Sequence, residues 1–110
     1  MAYRFWNSCW QFSRKDRPAV VMQNDLLGIK HLNTVVVIPF TSNLVSSEHE
    51  PNIFFKKEET GLSKDSVAVI HLIGAANKFC FERKISKLSE ENYQKLIDAV
   101  VKLIINKSNT

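Results

Sequence analysis

Apolar and polar positions along the chain fall into short blocks until about residue 88, and only then switch to a helical spacing. Blocks rich in β-branched residues and bounded by polar turns predict strands, because branched side chains pack well on a pleated surface. Residues 18–23 form the first clear block, with Pro18 confined to its start because it has no N–H to donate to a ladder. Asn24 and Asp25 predict a turn, and residues 26–33, with Gly28, a connecting loop. Residues 34–38 are nearly continuous in β-branched side chains and predict a strand buried on both faces, with Pro39 beginning its exit and Thr41, Ser42 and Asn43 forming an exposed turn. Residues 46–51 predict a solvated loop, 53–55 a short strand, and 56–59 a return to solvent. A turn over 61–65 leads into a third strong strand over 66–72, which Gly74 ends. Residues 75–81 suit either a loop or one helical turn, and 83–88 a last short strand.

The carboxyl end has helical punctuation. Ser89 is a natural N-cap, Glu90 and Glu91 follow where the helix dipole favours acids, and Lys102 and Lys107 lie toward the other end. Tyr93, Leu96, Ile97, Val100, Val101 and Ile104 recur as one apolar stripe that must pack on the sheet. Residues 1–13 carry Tyr3, Phe5, Trp6, Trp10 and Phe12 with neither strand nor helix period, so a core strand, an aromatic plug and a partner-facing segment all remain open. Several strands and one terminal helix imply a mainly β fold: a small, mostly antiparallel barrel or strongly curled sheet capped by that helix.

Composition narrows the class. A chain of 110 residues with 45% apolar content, three Gly and three Pro is one ordered domain, with enough apolar surface to offset the ordering entropy. The longest apolar runs, 34–40 and 67–73, are far shorter than the roughly 20 residues of a membrane-spanning helix, and no long apolar core with a cleavage site opens the chain, so a cytoplasmic location is expected. Cys9 and Cys80 read as two reduced thiols; no metal-like spacing surrounds them and no cofactor is implied. A net charge of +4 and a pI near 9.2 point to an acidic partner, with nucleic acid and an acidic protein segment both eligible.

Three segments carry a resemblance: RPAVVMQND from Arg17, TVVVIPFTSN from Thr34 and GLSKDSVAV from Gly61. In order and spacing they are similar to the MazF/PemK family of toxin endoribonucleases from bacterial toxin–antitoxin modules, and the similarity continues through Lys87, Leu88 and Ser89 into the last helix. The resemblance implies a small SH3-like barrel with a terminal helix, usually a homodimer, that cuts single-stranded RNA at short sequences without a metal and is silenced by a cognate antitoxin. It places Arg17 and Thr41 at the family's catalytic arginine and threonine. Cleavage of this kind proceeds by attack of the ribose 2′-hydroxyl on the adjacent phosphate, so charge grows on the phosphoryl and leaving oxygens. Arginine offers a permanently charged fork to those oxygens and threonine a hydroxyl donor. His71, whose side-chain type titrates near neutrality, is the candidate for proton exchange with the 2′-hydroxyl, whereas His31 and His49 fall in predicted loops. Arg14, Lys15, Ser42, Lys56 and Lys78 are candidate RNA contacts; Lys57, Lys64, Arg83 and Lys84 are further cations for a phosphate-tracking groove, and Trp10 or Phe12 candidates to stack a base.

The sequence departs from the family in two places. Residues 1–14 lack its opening strand and glycine-containing loop, and after His71 the family's Gln, Arg and Asp are replaced by Leu72, Gly74 and Asn77. These departures motivate an alternative reading, a degenerate, non-catalytic module that keeps the fold and the antitoxin grip. Poisoning of DNA gyrase, known for a relative of this fold, depends on a terminal-helix ending that this chain does not show.

Overall fold

One long strand organises the sheet. The structure, a computed structural model, describes residues 8–12, 17–22 and 33–105. Its strands are β1 (Ser8–Phe12), β2 (Pro18–Val21), β3 (Thr34–Thr41), β4 (Ile53–Phe55), β5 (Ser66–Ala68), β6 (Gly74–Asn77) and β7 (Phe81–Lys87), with the helices α1 (Lys57–Thr60) and α2 (Glu90–Ile104). All pairings are antiparallel and the order is β4-β5-β3-β2-β1-β7, with β6 added beside β3. Among the described residues no ladder joins β4 to β7, so the sheet is open and curled rather than a closed barrel. The aromatic amino-terminal block supplies β1, which pairs with both β2 and β7.

β3 runs past Pro39 to Thr41 because proline costs it only a donor: the Pro39 carbonyl still accepts the Val69 N–H at 2.9 Å. Its two halves have different neighbours on one edge, Val35 to Val37 pairing with β6 and Phe40 and Thr41 with β5. The expectation of a strand buried on both faces fails at Val36, which is 36% exposed, because its level partner is Ala75 and a single methyl group cannot cover it. The other alternate residues serve two apolar clusters. Val20, Ile38 and Phe40 join Cys9, Phe55, Ile70 and Leu96 in the larger one, whereas Ala19, Val21, Val35 and Val37 form a smaller one with Trp10, Ala76 and Phe81. Full burial of a side chain such as Phe40 or Ile38 stabilises by roughly 1.5–3 kcal/mol.

Between residues 66 and 81 the structure differs from the sequence expectation. The strand stops at Ala68, and Ile70–Leu72 form a 3-10 turn in which the Ile70 N–H donates to Asn52 Oδ1 at 2.9 Å instead of to a ladder. Gly74 then opens β6 rather than ending a strand, and Lys78–Cys80 make a second 3-10 turn. Residues 57–60, expected in solvent, form the short helix α1, while Leu44–Glu48 form a further 3-10 turn in the expected loop region. The turn at Asn24 and Asp25 and nearly all of the 26–33 loop lie outside the described residues.

Ser89 caps α2 as expected, its hydroxyl accepting the Asn92 N–H at 3.1 Å. Tyr93 and Leu96 are buried as predicted, but Asn92 and Ala99 share that face, while Val101 and Ile104 are exposed, the latter by 71%. The buried face is therefore rotated from the predicted stripe, and the last turn of the helix lies off the core. Among the described residues no helix is long and apolar enough to cross a membrane.

Candidate functional site

The register of the two central strands places Arg17 and Thr41 at one end of the sheet. Ala19 is level with Pro39, Val20 with Ile38 and Val21 with Val37. The ladder ends at the Ala19–Pro39 pair, and Arg17, just before β2, and Thr41, the last residue of β3, each lie two residues beyond it at the same end of the sheet. Level residues of an antiparallel pair lie about 4.5–5.5 Å apart at Cα and point to one face. Ala19, Val21, Val35 and Val37 turn toward the smaller cluster, and Arg17 and Thr41 lie past them at the end of the strands. Arg17 is exposed, so its guanidinium keeps its hydration until a ligand displaces it.

Thr41 is held more firmly. Its backbone pairs with Val67 of β5, and its hydroxyl oxygen accepts the Asn43 N–H at 3.1 Å. The oxygen thus used as an acceptor leaves the hydroxyl hydrogen for an incoming acceptor. Asn43 in turn caps the Leu44–Glu48 turn by accepting the Val45 N–H at 3.3 Å. A residue that sequence reading missed completes this frame. Asn52 donates from Nδ2 to the Ser46 carbonyl at 3.1 Å and accepts the Ile70 N–H through Oδ1, so it ties the loop after Thr41 to the turn that bears His71. An asparagine following the Glu50–Pro51 peptide, which is cis, gives no signal of such a role in sequence, since its two partners lie on either side of it in the chain.

The remaining candidates separate. His71 is exposed in the 70–72 turn, where β3 changes neighbour from β5 to β6, and among the described residues no hydrogen bond links it to Arg17 or Thr41. Ser42 is exposed beside Thr41. Lys56 precedes α1, its N–H donating to the Glu59 carboxylate at 2.9 Å, and Lys78 begins the 78–80 turn, its N–H donating to the Asn33 carbonyl at 2.8 Å. Arg14, Lys15 and His31 lie outside the described residues, as does the Phe12 side chain. Trp10 packs on Phe81 with ring centroids 5.0 Å apart, so its indole serves the smaller cluster. Of the further cations, Lys64 and Arg83 meet with Ser42 around one cleft of about 410 Å³ at the strand ends, where Gln11, Pro18, Gly61 and Ser63 also contribute.

Neither cysteine joins this site. Cys9 is fully buried in the larger cluster, and loss of hydration raises its thiol from 9.0 to about 11, against a smaller lowering by a hydrogen bond with Ser86. Cys80 is half-buried. Among the described residues no three His, Cys, Asp or Glu side chains gather closely enough to hold a metal ion.

Comparison with known proteins identifies the family and the fold. The profile of the family described as PemK-like, MazF-like toxin of type II toxin-antitoxin system matches residues 11–104. The Endoribonuclease MazF of Staphylococcus saprophyticus is 29% identical over 84 residues, covering 76% of this chain and 69% of that protein. Among solved structures, Mycobacterium tuberculosis toxin MazF-mt6 superposes with a TM-score of 0.66 at 20% identity, over 88% of this chain and 94% of that one. An endoribonuclease in complex with its cognate antitoxin from a mycobacterial species superposes with a TM-score of 0.70 at 12% identity, over 93% of each chain. At these identities the solved structures establish the shared fold.

Proposed function

From the premise that the chain belongs to the PemK-like, MazF-like toxin family, we propose that it is an endoribonuclease toxin that cuts single-stranded RNA sequence-selectively and without a metal, and is neutralised by a cognate antitoxin. The observation that carries this reading is the β2–β3 register, whose last pair Ala19–Pro39 leaves Arg17 and Thr41 at one end of the sheet. In the reaction the 2′-hydroxyl oxygen bonds to phosphorus as the bond to the 5′-oxygen breaks, leaving a 2′,3′-cyclic phosphate and a 5′-hydroxyl. The guanidinium of Arg17 neutralises charge on the phosphoryl oxygens, and Thr41 donates its hydroxyl hydrogen to the same group. His71 takes the 2′-hydroxyl proton, and the leaving 5′-oxygen is protonated in turn. Arg17, as a permanently charged guanidinium, acts by charge rather than as a proton donor. Ser42, Lys56 and Lys78 contribute RNA contacts, together with Arg14 and Lys15.

The whole chain is read as one such domain acting in the cytoplasm: the family match covers 11–104, and Cys9 just before it is already part of the core. A homodimer is supported by apolar side chains left uncovered around β6, with Phe79 84%, Leu72 53% and Val36 36% exposed. Mapping the ends of fragments from long single-stranded RNA tests the reading. Cuts at one recurring short sequence, leaving cyclic phosphate ends, are expected. Tight binding of an acidic antitoxin peptide without any cut would instead establish the non-catalytic module.

A further inference from the structure

The cleft beside Thr41 has the chemistry of a phosphate site. Its charged lining residues are Lys64 and Arg83, and among the described residues no carboxylate lines it. Arg83 is level with Gln11 across the β1–β7 ladder, and Lys64 sits in the turn between α1 and β5, so the two cations come from separate parts of the chain to line one cleft. Neither makes an ion pair with a carboxylate among the described residues. The acid next to Lys64 in sequence, Asp65, accepts the Lys57 N–H at 2.8 Å and is thereby held toward α1. Two unneutralised cations facing one hollow, with the hydroxyls of Ser42 and Ser63 beside them, favour an anion with several acceptor oxygens.

The walls are also fixed. Gly61 takes φ +79°, its N–H donating to the Lys57 carbonyl at 2.8 Å, and the Ser66 hydroxyl donates to the Lys64 carbonyl at 3.0 Å. Pro18 and Ser42, both on the cleft wall, are the chain neighbours of Arg17 and Thr41, so the hollow opens at the same strand end.

We propose that this cleft holds a phosphate flanking the scissile one, so that the RNA strand crosses the end of β3 from Arg17 and Thr41 to Lys64 and Arg83. The inference rests on the ribonuclease reading above and adds the path of the strand. The test is fluorescence anisotropy of the wild-type protein, Arg17→Ala and the double variant Lys64→Gln with Arg83→Gln, titrated at several salt concentrations. The probe is a mixed-sequence single-stranded RNA with 2′-O-methyl riboses, which cannot be cut. Loss of one phosphate contact lowers the slope of log affinity against log salt by about 0.7 for a single strand. The double variant is expected to show that reduction, with affinity about five- to tenfold weaker at low salt, and to lose cleavage of ordinary RNA through KM, whereas Arg17→Ala loses it through kcat. An unchanged slope and affinity in the double variant, with Arg17-dependent cleavage intact in the wild type, would overturn the cleft and leave the ribonuclease reading standing. Weakened binding of a polyglutamate peptide with unaltered RNA binding would assign the cleft to an acidic protein and overturn it equally. A wild-type protein that neither binds nor cuts RNA defeats both.

Discussion

Arg17, immediately before β2, and Thr41, the last residue of β3, lie at the same end of the sheet, each two residues beyond the Ala19–Pro39 pair that closes the β2–β3 ladder. That strand end holds an exposed, always-charged fork and a hydroxyl whose oxygen is already anchored by the Asn43 N–H. If both act on one phosphate, their substitutions will not add. Arg17→Ala is expected to lower kcat about 10²- to 10³-fold, and Arg17→Lys to recover little, since the ammonium lacks the planar fork. Thr41→Val should cost activity that Thr41→Ser restores. A double-mutant cycle on kcat should show the combined variant close to the worse single one; strictly multiplicative losses would mean that the two residues serve separate steps.

Gly61 is the residue on which the cleft wall turns. Its φ of +79° disfavours any other residue, and a Cβ added there would stand 2.8 Å from Ser86 Oγ and 2.9 Å from Ser86 Cβ. Ser86 cannot move freely, because its hydroxyl donates to the Thr60 carbonyl. Gly61→Ala is expected to destabilise by about 1–3 kcal/mol in urea unfolding. Stability equal to the wild type would show that the turn relaxes to another shape.

Cys9 makes a pH prediction with a defined sign. Its thiol is raised from 9.0 to about 11 by burial, so above pH 9 the unfolded chain loses this proton while the folded one keeps it. The unfolded state then binds fewer protons, and stability falls as pH rises from about 9 to about 11, by about 2–3 kcal/mol in total. Denaturant titrations across this window should show a slope in the wild type that exceeds the slope in Cys9→Ala. Parallel slopes would mean that the thiol ionises without cost in the folded protein.

Much of this architecture was legible in the residues, and the illegible parts have physical reasons. Residues 18–21 and 34–38 announce strands because branched side chains fill them, though the continuation of β3 through Pro39 to Thr41 did not show, and Ser89 announces the helix because a hydroxyl there meets the Asn92 N–H. β6 gave no such signal: Gly74, Ala75, Ala76 and Asn77 have weak strand preference, and pairing with β3 imposes the conformation. The turn at Ile70–Leu72 was hidden because an apolar run looks alike straight or bent, and the decision comes from Asn52, far back in the chain. The choice of Arg17 and Thr41 came from family resemblance, since composition marks neither residue. The cleft was illegible for a similar reason: Lys64 and Arg83 are two cations among many until the β1–β7 ladder brings them to one hollow.

Assembly offers a separate prediction. Phe79 is the most exposed of the large apolar side chains described, yet its N–H is tied to Asn77 Oδ1 at 2.8 Å, so the turn holds the ring outward. Sedimentation at micromolar concentration is expected to show a dimer, and Phe79→Glu should move it toward monomer without altering the far-ultraviolet spectrum. A monomeric wild type would remove the dimer from the account.

The most direct measurement of the central claim is incubation of the purified wild-type protein and Arg17→Ala with long single-stranded RNA in EDTA. The account predicts discrete fragments from the wild type and intact RNA with the variant. Intact RNA in both samples, or identical fragments from both, would contradict it.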